Sequence, residues 1–164
     1  MEKIESLGAA NFAFTFFQEY RKAMLKEEDR VTKVHQVWQK PSQGNIKINF
    51  DGSVRKAEKK GGIGIIARNE KGEVMGAVQA TIDGVTDPEA IEAYAACRGM
   101  QFVQQMGFNN IVLEGDALSV ILKILQPDPS LFVIGILIEE AKTMKKNFKN
   151  CKIQHVSREA SFSG

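Results

Sequence analysis

Apolar and polar residues alternate from Ile46 to Asp51, with Ile46, Ile48 and Phe50 on one phase and Lys47, Asn49 and Asp51 on the other. A period of two marks a strand with one buried face, ending here at Asp51-Gly52. Ile63–Asn69 predicts a second strand, and the polar turn Asn69-Glu70-Lys71-Gly72 leads into a third over Val74–Ile82. Strands joined this tightly form an antiparallel meander. The period then changes to that of a helix. Either Thr86 caps it with Glu89 in the capping-box place, or Asp87 caps it with Pro88 at the first helical position. Ala93, Ala96, Cys97, Met100 and Val103 continue the face, and Gly107 ends it. A short strand (Ile111–Glu114) and a short helix (Ala117–Leu125) follow, broken at Gln126-Pro127-Asp128-Pro129. A longer helix over Leu131–Phe148 and a last strand over Lys152–Val156 complete the pattern. This order predicts an α/β domain, a mixed five-stranded sheet with helices packed on it.

Residues 1–37 follow another pattern. Phe12, Phe16, Phe17, Tyr20, Met24 and Leu25 recur roughly at helical spacing, and 18–30 is rich in charge. This reads as a helical arm that fades into a polar connector, its apolar stripe suited to contact with protein. Pro41-Ser42-Gln43-Gly44 punctuates the entry to the globular domain, which spans 38–164.

Composition narrows the chemistry. With 22 Lys+Arg against 20 Asp+Glu the net charge is +2, so any nucleic-acid surface must arise from local segregation of charge. Cys97 and Cys151 form no paired motif and there are two histidines, which argues against zinc. Cys97 reads as core. No apolar run is long enough to span a membrane. The apolar stretch 7–17 is interrupted by Asn11 and Thr15 and preceded by Glu2 and Glu5, unlike a secretory leader. An intracellular protein is expected, nuclear or cytoplasmic.

Three acids each end or open a predicted element: Asp51 at a strand end, Glu92 early in a helix, and Asp116 where a strand turns into a helix. Carboxylates so placed can hold hard divalent cations, and a metal pair can drive in-line phosphodiester hydrolysis. Each has an ordinary reading alone: Asp116 as a helix cap, Asp51-Gly52 as a turn, Glu92 as a complement to the helix dipole. Their joint order favours the metal site. Glu114 falls on the strand face opposite Leu113 and Glu89 serves the cap, so both are set outside it. Gly61-Gly62-Ile63-Gly64 precedes a strand and lacks a phosphate-gripping Lys-Ser/Thr, so it reads as glycines easing a hairpin or bulge. Arg55, Lys56, Lys59 and Lys60, with Gly52 and Ser53, form a basic loop beside the first acid, suited to phosphate contacts. Lys142, Lys145, Lys146 and Lys149 complement a helix C-terminus and form a basic helix end, read as solvated surface or as a further phosphate contact. His155 is a candidate for proton transfer, and Trp38 an anchor for the connector.

These segments resemble a known family. Trp38-Gln39-Lys40-Pro41 followed by Ile46-Lys47-Ile48-Asn49-Phe50-Asp51-Gly52-Ser53 looks like the entry and first strand of plant ribonuclease H-like domains, many of them retrotransposon-derived. Gly61–Asn69 with Lys71-Gly72, Asp87–Ala95, Leu113-Glu114-Gly115-Asp116-Ala117 and Ile153–Ala160 are similar to later segments in the same order. The resemblance implies the ribonuclease H-like three-layer fold, with the N-terminal arm added. It implies that Asp51, Glu92 and Asp116 are catalytic metal ligands for Mg²⁺, with Mn²⁺ as substitute. The implied activity is hydrolysis of the RNA strand of RNA–DNA hybrids, leaving a 3′-hydroxyl and a 5′-phosphate. The family continues from the fifth strand through an Asn into a helix with a fourth acid. Here Ala160 is followed by Ser161-Phe162-Ser163-Gly164, so that acid and helix are expected to be missing. The alternatives are an inactive nucleic-acid-binding module and a relict interaction domain. Metal-dependent cleavage separates the hydrolase from both, and salt-sensitive hybrid binding separates the two from each other.

Overall fold

The computed structural model describes residues 2–5, 38–126 and 134–157. The elements are β1 (Glu2–Glu5), β2 (Ile46–Arg55), β3 (Lys60–Arg68), β4 (Val74–Asp83), α1 (Pro88–Gln105), β5 (Asn110–Gly115), α2 (Leu118–Leu125), α3 (Gly135–Lys145) and β6 (Asn150–His155). Strands β2 to β6 form the expected mixed five-stranded sheet. β2, β3 and β4 make an antiparallel meander, while β5 runs parallel to β2, and β6 parallel to β5. The short β1 adds a sixth strand, antiparallel to β4, giving the order β1-β4-β3-β2-β5-β6. The helical stripe expected between Phe12 and Leu25 lies outside the described residues, as do residues 131–133 of the expected long helix. Among the described residues no helix is long and apolar enough to cross a membrane.

One face of the sheet carries the core. Ile46, Ile48 and Phe50 of β2, Ile63 and Ile65 of β3, Leu113 of β5 and Ile153 of β6 pack with all three helices in one cluster. Helix α1 opens by the second of the two predicted routes. Asp87 accepts a hydrogen bond from the Glu89 amide at 3.1 Å, with Pro88 in the first helical turn. Glu89 therefore supplies a backbone donor to the cap, and its carboxylate instead engages Lys123 of α2. The helix ends at Met106, and Gly107 follows with φ +86°. Cys97 packs in the core and donates to the Leu137 carbonyl at 3.2 Å, so the two cysteines remain separate thiols. Burial pushes the Cys97 thiol up to about 12.

The polar phase of β2 is not a solvent face. Lys47, Asn49 and Asp51 are all buried, as are Arg68 and Glu114. Lys47 pairs with Glu114 at 2.8 Å and donates to the Gln39 carbonyl, while Gln154 donates to Glu114 at 2.9 Å. Trp38 donates from Nε1 to Asn49 at 2.9 Å, and the Arg68 guanidinium lies 4.7 Å from its ring centre. Trp38 is thus the anchor its position suggested. Because burial of an ion is costly unless it is paired, this network ties β2, β3, β5 and β6 into one register.

β2 also continues past Asp51-Gly52 to Arg55, so this dipeptide is not a turn. Gly52 stays in the ladder, opposite Ile63. The glycine is required by the helix: a Cβ there would come within 3.0 Å of the Ile91 carbonyl carbon. Gly61 likewise sits under Ile91, and the sheet's irregularity lies at Ala67/Arg68 rather than at the glycines. Gly115 is tighter still, since a Cβ would lie 2.5 Å from Cζ of the fully buried Phe50. Gly115→Ala is expected to cost about 1–3 kcal/mol through overpacking. The check is the urea midpoint, which should fall at unchanged slope; an unchanged midpoint contradicts this packing.

Candidate functional site

Three elements deliver the acids to one place. Asp51 lies midway along β2, where its partner on β3 is Gly64. Asp116 follows the last residue of β5, and β5 pairs with β2 through Asn49↔Glu114. Glu92 is in the second turn of α1, which Gly52 allows to lie directly against β2. One carboxylate oxygen from each of Asp51, Glu92 and Asp116 lies within 4.8 Å of the other two. Asp51 is oriented by the Gly52 amide, which donates to its Oδ1 at 3.0 Å. The cap position of α2 is held by Ala117, so Asp116 is not that helix's N-cap residue.

The electrostatics of this cluster are unfavourable without a counter-charge. Glu92 Oε2 is buried and has no hydrogen-bond partner among the described residues. Burial, followed by the negative charges of Asp51 and Asp116, pushes the Glu92 carboxyl up from 4.5 to about 10. A backbone contact with Gly52 acts in the opposite direction without offsetting this. A buried polar atom without a partner costs about 1–3 kcal/mol. An oxygen-only set of three carboxylates, one with an unused buried oxygen, fits a hard divalent cation with waters completing its shell.

The other candidate residues divide by position. Gly52 faces α1 and shapes the cluster. Ser53, Arg55 and Lys60 line a cavity of about 110 Å³ together with Gly62, Gln79 and Thr81. Ser53 lies two residues along β2 from Asp51, on the same face by strand alternation. Lys56 and Lys59 are exposed in the β2–β3 turn, where Lys59 adopts φ +52°. The Arg55–Glu58 pair at 3.5 Å is exposed and contributes little. His155 is exposed at the end of β6, in register with Gly115, and so at the acid end of the sheet. Lys142, Lys145, Lys146 and Lys149 lie at the opposite end, where β6 begins beside Asn110.

Sequence reasoning did not anticipate Gln79 and Thr81, which reach the cavity only because β4 pairs beside β3. Nor did the alternation show that Lys47 and Asn49 are buried. Their signal was the buried partner Glu114, on the rung just before both strand acids.

The family model described as reverse transcriptase-like matches residues 49–162. No curated protein matches the chain. Among solved structures, RNase H1 from the archaeon Halobacterium salinarum is 21% identical with a TM-score of 0.64, covering 70% of this chain and 86% of that one. The N-terminal RNase H domain of a Mycobacterium tuberculosis protein is 16% identical with a TM-score of 0.65, covering 71% and 85%. LC11-RNase H1, of a compost metagenome, in complex with an RNA/DNA hybrid is 21% identical with a TM-score of 0.60, covering 70% and 86%. At these identities the likeness shows that the fold is that of RNase H.

The raised Glu92 carboxyl has a consequence for stability. Between about 4.5 and about 10 the folded protein holds a proton that the unfolded chain releases. Stability from this group is therefore complete below pH 4.5 and is lost as pH rises toward 10. In chelator, Glu92→Gln should melt progressively higher than the parent from pH 5 to pH 9, at about 2–4 °C per kcal/mol. A gap that is constant or that shrinks with pH contradicts the raised carboxyl.

Proposed function

Since the chain belongs to the reverse transcriptase-like family, we propose that it hydrolyses the RNA strand of RNA–DNA hybrids with a divalent cation. The observation that carries this reading is the convergence of Asp51, Glu92 and Asp116 within 4.8 Å, with a buried Glu92 oxygen unpaired. We assign these three as the catalytic metal ligands, for Mg²⁺ with Mn²⁺ as substitute. Ions held by these carboxylates would supply Lewis-acid chemistry, activating an attacking water and stabilising the departing oxygen of a phosphodiester.

The chain's own residues supply position. Asp51 is fixed by the Gly52 amide, Glu92 by the close contact of Ile91 in α1 with Gly52 of β2, and Asp116 by the parallel pairing of β5 with β2. Ser53, Arg55 and Lys60, with Lys56 and Lys59 at the turn, are placed to contact phosphates and set the register of a strand without reading its bases. His155, exposed at the same end of the sheet, is the residue we assign to proton transfer. Recognition of the hybrid is supported by the neighbouring LC11-RNase H1, whose structure contains one. Contacts to 2′-hydroxyls then distinguish the RNA strand, as in other RNA-binding sites. The family match favours descent from a reverse-transcribing element, with action inside the cell, where hybrids form.

With purified protein and a labelled hybrid, cleavage should require Mg²⁺ or Mn²⁺. Asp51→Asn should lower it at least about a hundredfold, about 2.7 kcal/mol of barrier, with the circular dichroism spectrum unchanged. Full activity of this variant contradicts the ligand assignment. A folded parent that binds hybrid but never cuts it points to an inactive binding module.

A further inference from the structure

Four lysines are gathered at the pole of the domain farthest from the acids. Lys142 and Lys145 stand in the last turns of α3, Lys146 is its C-cap, and Lys149 immediately precedes β6. They rim a groove of about 490 Å³ floored by Ile124 and Phe148. Lys149 adjoins Asn150, which pairs with Asn110 at the start of β5, whereas Asp116 follows the end of that strand. Six residues at about 3.3 Å each separate the two poles by about 20 Å.

Helix-dipole complementation does not account for this charge. The C-terminus of α3 carries about half a negative unit, which a single lysine offsets. Lys142 is paired with Glu139 at 3.2 Å, and Lys145, Lys146 and Lys149 have no ion pair among the described residues. Glu139 is the one acid among the described residues that line the groove. On a chain whose net charge is +2, this is a strongly segregated patch. Cys151 also borders the groove, where burial pushes its thiol up to about 11 against the pull of Lys145, which disfavours a free thiolate there.

A concave cationic rim with a shallow apolar floor complements a polyanionic chain. We infer that this groove is a second nucleic-acid contact, binding the phosphodiester backbone through Lys145, Lys146 and Lys149 independently of the acids. The choice of nucleic acid as the polyanion rests on the function proposed above. At a separation of about 20 Å, the two poles engage different stretches of a strand. Negative charge repels nucleic acid at the metal-free acid pole, while the lysine pole attracts it. The groove therefore holds nucleic acid even without metal. Its contacts reach phosphates alone, so it adds affinity without sequence preference.

The test is fluorescence anisotropy of a labelled 20-base-pair RNA–DNA hybrid in excess chelator, across 50–200 mM salt. Lys146 and Lys149 are exposed, so Lys146→Glu/Lys149→Glu should fold as the parent does. Its affinity should fall at least tenfold, and the slope of log affinity against log salt should flatten by about two. The charge-matched Lys40→Glu/Lys71→Glu, exposed at the β3–β4 turn and outside the groove, across three strands from β6, should lose less than threefold. Equal losses in the two variants, or no metal-free binding by the parent, would overturn the inference. Cleavage is read separately with Mg²⁺: lysine-dependent binding without cleavage would remove the hydrolase reading and leave this contact standing.

Discussion

Three carboxylates repel one another, and the domain is built so that they cannot move apart. Asp51 and Asp116 are fixed because β2 and β5 are parallel neighbours, and Glu92 is fixed because α1 lies directly on β2. The consequence is the raised Glu92 carboxyl and its unpaired oxygen. A cost of this kind persists only where the surrounding structure over-determines it, and such sites cluster where function needs them. A divalent cation removes the cost by supplying the missing positive charge. The closeness of the three acids is thus what fits the cluster to a divalent cation.

The surrounding structure holds the cluster on two sides. On the helix face, Gly52 and Gly115 each flank an acid in sequence and each leave room for a large neighbour, Ile91 in one case and Phe50 in the other. On the opposite face, Asn49 and Glu114 form the rung just before Asp51 and Asp116. Both are buried, and both are bonded, to Trp38 and to Lys47 and Gln154 respectively. Slippage of β2 against β5 would strand these polar groups without partners. A one-residue shift would also exchange the two faces of the strand.

Much of this was legible in the chain. The alternation over Ile46–Asp51 and the change of period at Asp87 located the strands and α1, and the three acids stood out because each marked an element's end or opening. Other features were hidden for physical reasons. Asp51-Gly52 has the form of a turn, but the glycine is there to admit a helix that is 39 residues away when counted from Gly52 to Ile91. Lys47 and Asn49 obey the strand alternation, which cannot say whether the polar face meets water or buried partners. The lysines ending α3 read both as dipole complements and as a basic surface, and only the sheet topology set them at the pole away from the acids. Gly61-Gly62 invited a hairpin or a bulge; the pair opens β3 just after the β2–β3 hairpin turn and makes room for Ile91 on one face and a small cavity on the other.

The central claim, that Asp51, Glu92 and Asp116 form a cation site kept partly protonated until it is filled, is tested most directly by calorimetric titration with Mg²⁺. Performed near pH 7.5 in buffers of different ionisation enthalpy, the titration reads binding and proton release together. Since burial and the neighbouring acids push the Glu92 carboxyl up to about 10, binding should release about one proton, and Asp51→Asn should weaken binding sharply. Absence of binding, or binding that releases no proton and is indifferent to Asp51, would contradict the account.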